Sequence, residues 1–156
     1  MEALRDSMTL QRFCLPLTLL ASIIANSSAT ASSTDVARTW GLLGRWAVDC
    51  ANTVKQGGPH NLIAYEATRD GRLVYRRNDD PQDSNEIVDV KLGANGIIVL
   101  TIDVPAYKQT RELGIAKNAD GSTRSVYNHD NEGKYSVKDG IFIANGNQTP
   151  SLKKCS

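Results

Sequence analysis

Apolar and polar positions alternate in short blocks through most of this chain, and turn-forming residues separate the blocks. Gly44–Cys50 places Trp46 and Val48 on one face, the period-2 signature of a strand. Leu62–Thr68 and Leu73–Arg77 flank Arg69-Asp70-Gly71-Arg72, where Asp-Gly supplies the positive φ of a tight hairpin turn. Glu86–Leu92 sets Val88, Val90 and Leu92 on one face and Ile87, Asp89 and Lys91 on the other. Gly93-Ala94-Asn95-Gly96 is the next turn. Ile97–Asp103 is β-branched and apolar on both faces, which predicts a well-covered strand, and Pro105 ends it. Lys108–Lys117 and Ser122–Asn128 flank a second Asp-Gly turn at Asp120-Gly121. Lys134–Val137 and Ile141–Ala144 flank a third at Asp139-Gly140, and Asn145–Cys155 is a polar tail.

Ahead of these blocks, Ser32–Asp35 reads as a loose segment and Val36–Leu42 as a short helical turn capped by Asp35. No long amphipathic helix follows. Sequential hairpins without helical crossovers predict an all-β fold, an antiparallel up-and-down meander. Such a meander of about eight or nine strands avoids exposed edges by closing into a small barrel. A two-sheet sandwich is the alternative architecture.

The N-terminus changes the picture. Arg5 and Arg12 precede an apolar run, Phe13–Ala25, and then the small-residue site Ala29-Thr30-Ala31. That is the order of a secretory signal, so residues 1–31 are expected to be removed. The run contains Pro16 and falls short of the ~20 apolar residues of a spanning helix. Residues 32–43 then form an N-terminal arm and 44–156 the barrel domain. Cys14 leaves with the signal, so Cys50 and Cys155 remain, in a periplasmic or secreted setting where disulfides persist. Their bridge would clasp the two ends of the barrel.

The net charge of +1 and the lack of a Lys/Arg block argue against nucleic-acid partners and against docking on anionic lipid. A monomer without cofactor or membrane contact after cleavage is the expected state. His60 and His129 are too few for a zinc site, and Asp79, Asp80, Asp83 and Glu86 lack the spacing of a calcium loop, so no metal is expected. No nucleophile context such as G-x-S-x-G occurs, and an enzyme is the third-ranked reading. Asn147-Gln148-Thr149 matches a glycosylation acceptor, which matters only in a eukaryotic secretory route.

Gly44-Arg45-Trp46 matches the G-x-W of the first strand of lipocalins and related calycin barrels, and it follows a short helical turn as in that family. The chain therefore resembles a lipocalin-like small exported barrel. The resemblance implies a late arginine packed over the motif tryptophan, with Arg111 and Arg124 as the candidates. Gly44–Cys50 also resembles the opening of small exported bacterial proteins of unknown function. On physical grounds Trp46 is large enough to plug one end of a barrel, and Gly44 lets the strand bend at its entry. Tyr65, Tyr75 and Tyr127 are the candidate wall residues for an apolar or amphipathic small ligand. The competing reading is an inhibitor or interaction protein that engages an exported hydrolase through the Asn78–Asn85 loop or the Ser32–Trp40 arm.

Overall fold

The computed structural model describes residues 31–51 and 62–155. The signal segment with Cys14, and the Gly-Pro loop with His60, lie outside the described residues.

Helix α1 spans Ser33–Trp40 and starts three residues before Val36, because Ser32 rather than Asp35 caps it. Ser32 Oγ accepts the Asp35 backbone N–H at 3.2 Å and donates to the Asp35 carboxylate at 2.7 Å, so the N-cap is tied to the first turn twice. Ten antiparallel strands follow: β1 (Gly44–Ala47), β2 (Leu62–Ala67), β3 (Leu73–Arg77), β4 (Ser84–Leu92), β5 (Ile98–Val104), β6 (Gln109–Lys117), β7 (Thr123–Asp130), β8 (Tyr135–Lys138), β9 (Ile141–Phe142) and β10 (Lys153–Cys155). The first two of the three Asp-Gly turns are built alike. Thr68 N–H donates to Arg72 O at 2.8 Å and Asn118 N–H to Ser122 O at 2.8 Å, with Asp70 and Asp120 bonded to the Thr68 and Ser122 hydroxyls inside the turns.

The sheet order is β10-β1-β2-β3-β4-β5-β6-β7-β8-β9. The polar tail supplies the tenth strand, which lies beside β1 with Cys155 opposite Arg45. The expected closed barrel of eight or nine strands is therefore corrected to a curled half-barrel of ten. Closure fails because the last strands are too short: β9 has two residues and β10 three. Between them the tail makes a single backbone bridge to β7, Thr123–Leu152, through hydrogen bonds of 2.8 and 2.7 Å, and one to β9 at Ile141–Gln148. These contacts bring the two sides together without a continuous ladder. Cys50 and Cys155 are bridged, with Cα atoms 5.5 Å apart across 105 positions, after the chain folds back beyond Ala47.

Three bulges set which side chains face inward. On β4 the register steps from Ile87–Ile102 to Asp89–Thr101, so Val88 is the extra residue. Ile87 and Val90 are thereby both buried, whereas Val88 and Leu92 are exposed, which overturns the simple alternation expected for this strand. On β7 the extra residue is Val126, and on β8 it is Ser136.

The core lines the concave face at one end of the half-barrel. Trp46, Leu73, Ile98 and Leu100 pack there with Ala37 and Leu42 from α1 and the segment after it. Trp46 is 2% exposed and its indole N–H donates to Leu42 O at 2.7 Å. The arm is not loose. Trp40 packs against the same cluster, its N–H donates to Gly96 O at 2.8 Å, and Lys117 Nζ sits 4.3 Å from the ring centroid. Among the described residues no helix is long and apolar enough to cross a membrane.

Trp46→Ala should cost ~3–5 kcal/mol through lost burial and a cavity. Trp40→Ala should cost less, about 1–2 kcal/mol, since it gives up a hydrogen bond and a cation–π contact at a partly wet site. Denaturant titration of both variants checks the order, and equal losses would contradict it. Cys50→Ser should remove ~2–5 kcal/mol under oxidising conditions, read as a fall in melting temperature.

Candidate functional site

Beyond the helix-filled end, the concave face holds two adjoining cavities of about 290 Å³ and about 270 Å³. They share Tyr75, Arg77, Leu113 and Asn128. The first is mostly apolar. Ile63 and Tyr65 from β2, Ile115 from β6, Val137 from β8 and Phe142 from β9 face it. The tail forms its remaining wall through Thr149, Pro150 and Leu152. Thr149 holds that wall in place, because its buried hydroxyl donates to Ser125 O at 2.6 Å and lies 3.2 Å from Gly140 O. In the glycosylation triplet, that hydroxyl is thus committed inside the fold. The second cavity is more polar and adds Asn85, Tyr107, Arg111 and Ser136.

Two of the three candidate wall tyrosines face this space. Tyr65 and Tyr75 are direct cross-strand partners, with ring centroids 5.7 Å apart. Burial pushes the Tyr65 hydroxyl well above its ordinary pKa, and Tyr75 adds to the shift. Burial likewise raises Tyr75, which also feels the charges of Arg77, Asp83 and Arg111. Tyr127 lies outside both cavities. Strict alternation places it in phase with Ser125, but the bulge at Val126 turns it to the convex side and brings Asn128 inward. There Tyr127 covers Gly114 and stacks on His129, with centroids 5.9 Å apart. Burial, then the Glu112 carboxylate, pushes its hydroxyl up to about 12. His129 belongs to β7 and not to a loop. Its Nε2 lies 3.4 Å from Glu112 Oε1, and the Tyr135 ring packs against it.

The residues that alternation alone did not single out for the site are Arg77, Asn128 and Ser136, along with Arg111 and Arg124. A signal was present. Arg77 shares the phase of Leu73 and Tyr75, and Arg111 that of Leu113 and Ile115, so each is a cation in a buried row. Arg77 Nη2 donates to Asp83 Oδ1 at 2.9 Å, while Nε sits 2.7 Å from Oδ2 off the hydrogen-bond line, a paired charge. Arg111 Nε donates to Asn128 Oδ1 at 2.7 Å and Nη2 to Ser136 Oγ at 2.8 Å. The bulge at Ser136 lets both Ser136 and Val137 reach the concave face.

The acidic loop is organised by cations of the protein itself. Asp79 pairs with Arg45, Asp83 with Arg77 and Glu86 with Arg72, while Asp80 accepts the Gln82 N–H at 2.9 Å. Among the described residues no group of three or more His, Cys, Asp or Glu side chains is placed to hold a metal. Gly44 has φ of +130°, so its backbone favours glycine, and the flexible Lys154 side chain packs against it. Lys154, from β10, places its Nζ 5.6 Å from the Trp46 ring centroid. It occupies the place expected for Arg111 or Arg124, both of which border the cavities instead. Comparison with known proteins finds no matching family, no matching curated protein and no matching solved structure.

The Gly114–Tyr127 pair gives a direct test of the bulge. A Cβ at residue 114 would lie 2.2 Å from a Tyr127 ring carbon, so Gly114→Ala should destabilise by roughly 1–3 kcal/mol. The double variant with Tyr127→Ala should lose less than the two single losses summed. Strict additivity in chemical denaturation would place Tyr127 elsewhere.

Proposed function

We propose that this protein is an exported binding module that holds an apolar or amphipathic small ligand on the concave face of its half-barrel. The observation that carries the reading is the pair of adjoining cavities, apolar at one side and polar at the other. Each is near the lower end of the ~300–1,000 Å³ of small-molecule sites. The combination of a largely apolar wall and a few convergent polar groups is the usual composition of such sites. Export is supported by the Cys50–Cys155 bridge, since disulfides persist in oxidising compartments.

The inhibitor reading draws less support. Its candidate arm is packed: Ser33 Oγ accepts Val90 N–H at 3.2 Å, Thr34 Oγ1 donates to Gly71 O at 3.2 Å, and Trp40 is anchored on Gly96. The Asn78–Asn85 loop is tied to β1 and β3 through Asp79 and Asp83. Neither segment is poised to insert into a partner's cleft without first breaking these contacts.

A neutral environment-sensitive dye such as N-phenyl-1-naphthylamine should brighten on binding the disulfide-bonded protein. Ile115→Trp, which fills the apolar cavity, should weaken dye binding by roughly tenfold, equivalent to about 1.4 kcal/mol. Circular dichroism establishes that the variant is folded. No dye signal with the parent protein, together with no bound small molecule in its native mass spectrum, would overturn the reading.

A further inference from the structure

We propose, resting on that reading, that the ligand is a single-chain amphiphile with an anionic head group, and that Arg111 receives the head. Among the described residues, three arginines and no carboxylate line the two cavities: Arg77, Arg111 and Arg124. This segregation occurs in a chain whose net charge is only +1, so the concave face is cationic beyond what composition requires.

The three arginines are not equivalent. Arg77 is matched by Asp83, as Arg38, Arg45, Arg72 and Arg76 are matched by carboxylates elsewhere. Arg111 is held by Asn128 and Ser136, which are neutral. Neutral acceptors orient a guanidinium without cancelling its charge, and these two hydrogen bonds engage two of its five N–H donors. Asp130 lies opposite on β7 and feels the Arg111 charge, yet its Oδ1 accepts the Glu132 and Lys134 N–H groups, and it makes no ion pair with Arg111. The geometry is that of an oriented cation, without an ion-pair contact among the described residues, at the polar end of an apolar cleft. The chain of an amphiphile would run from Arg111 past Leu113 and Tyr75 towards Ile115. Arg124 borders the apolar cavity, where its Nε is buried without a hydrogen-bond partner and its Nη2 packs against Gly140. It is the competing receptor for the head, at the other end.

Displacement of the neutral dye by three ligands of equal chain length tests the assignment, at a pH where the carboxylate is ionised. Dodecanoate should displace it at roughly tenfold lower concentration than dodecan-1-ol, and dodecylammonium should be the weakest, as expected for hydrogen bonds to charged groups. Arg111→Met should bring dodecanoate to the level of dodecan-1-ol, with a much smaller change for dodecan-1-ol itself; Arg111→Lys should keep part of the preference and Arg124→Met most of it. Equal binding of dodecanoate and dodecan-1-ol by the parent protein would overturn the head-group assignment while leaving the binding reading intact. Failure of all three ligands and of the dye would overturn both. Loss of the preference in Arg124→Met alone would reverse the direction of the ligand. An equal loss for both dodecanoate and dodecan-1-ol in Arg111→Met would reduce Arg111 to a structural residue. Co-sedimentation with phosphatidylglycerol vesicles unaffected by Arg111→Met would point to a bilayer surface instead of a single amphiphile and so overturn the proposal. The parent protein's ranking of the three ligands stands as the test even if a variant fails to fold.

Discussion

The return of the C-terminal tail to the first strand is the constraint on which the rest of this structure depends. Without β10, β1 would be an exposed edge of only four residues, too short to hold its place. The tail covers it, and the Cys50–Cys155 bridge joins the two segments across 105 positions. Long-range pairing of this kind is entropically costly, and a cross-link lowers that cost chiefly by restricting the unfolded chain. Several features follow from the one return. Lys154 comes to lie over Trp46 and against Gly44, Leu152 meets β7, and Thr149 and Pro150 become a wall of the apolar cavity. The clasp and the site are therefore parts of one arrangement.

The bulges then decide what the curved sheet presents. A strand slipped by one residue exchanges its faces, and a bulge does this locally. Val88 shifts the phase of β4 so that Ile87 and Val90 both reach the core. Val126 turns Tyr127 outward over Gly114 and Asn128 inward beside Arg111. Ser136 adds the hydroxyl that holds the same guanidinium. Two of the three bulges thus supply the neutral acceptors that orient Arg111, which ties the irregularities of the sheet to the chemistry of its concave face.

The concave face separates its chemistry along its length. Helix α1 and Trp46 fill one end, aromatic and aliphatic side chains line the middle, and arginines border the cavities. Carboxylates are kept off that face and spent on surface ion pairs, where each contributes little to stability. The Asn78–Asn85 loop and the Ser32–Trp40 arm are themselves held down by contacts with the sheet.

By itself the sequence determined the strand-forming blocks, the tight turns between them and the residues able to form a disulfide. Leu73–Arg77 is a strand within its expected limits, the Asp-Gly turns fall at Asp70-Gly71 and Asp120-Gly121, and Pro105 ends β5. These features are legible because they rest on local physics: period-2 alternation, residues that accept positive φ, and a ring that cannot donate. The tertiary structure alone decided that Asn145–Cys155 contributes a strand, because a polar tail has no alternation and pairs only where β1 offers an edge. It also decided that the barrel stays open, since closure depends on the summed length and curvature of all strands. Tyr127 faces outward because of a single extra residue, Val126, and a bulge has no signature in alternation, which assumes that no residue is skipped.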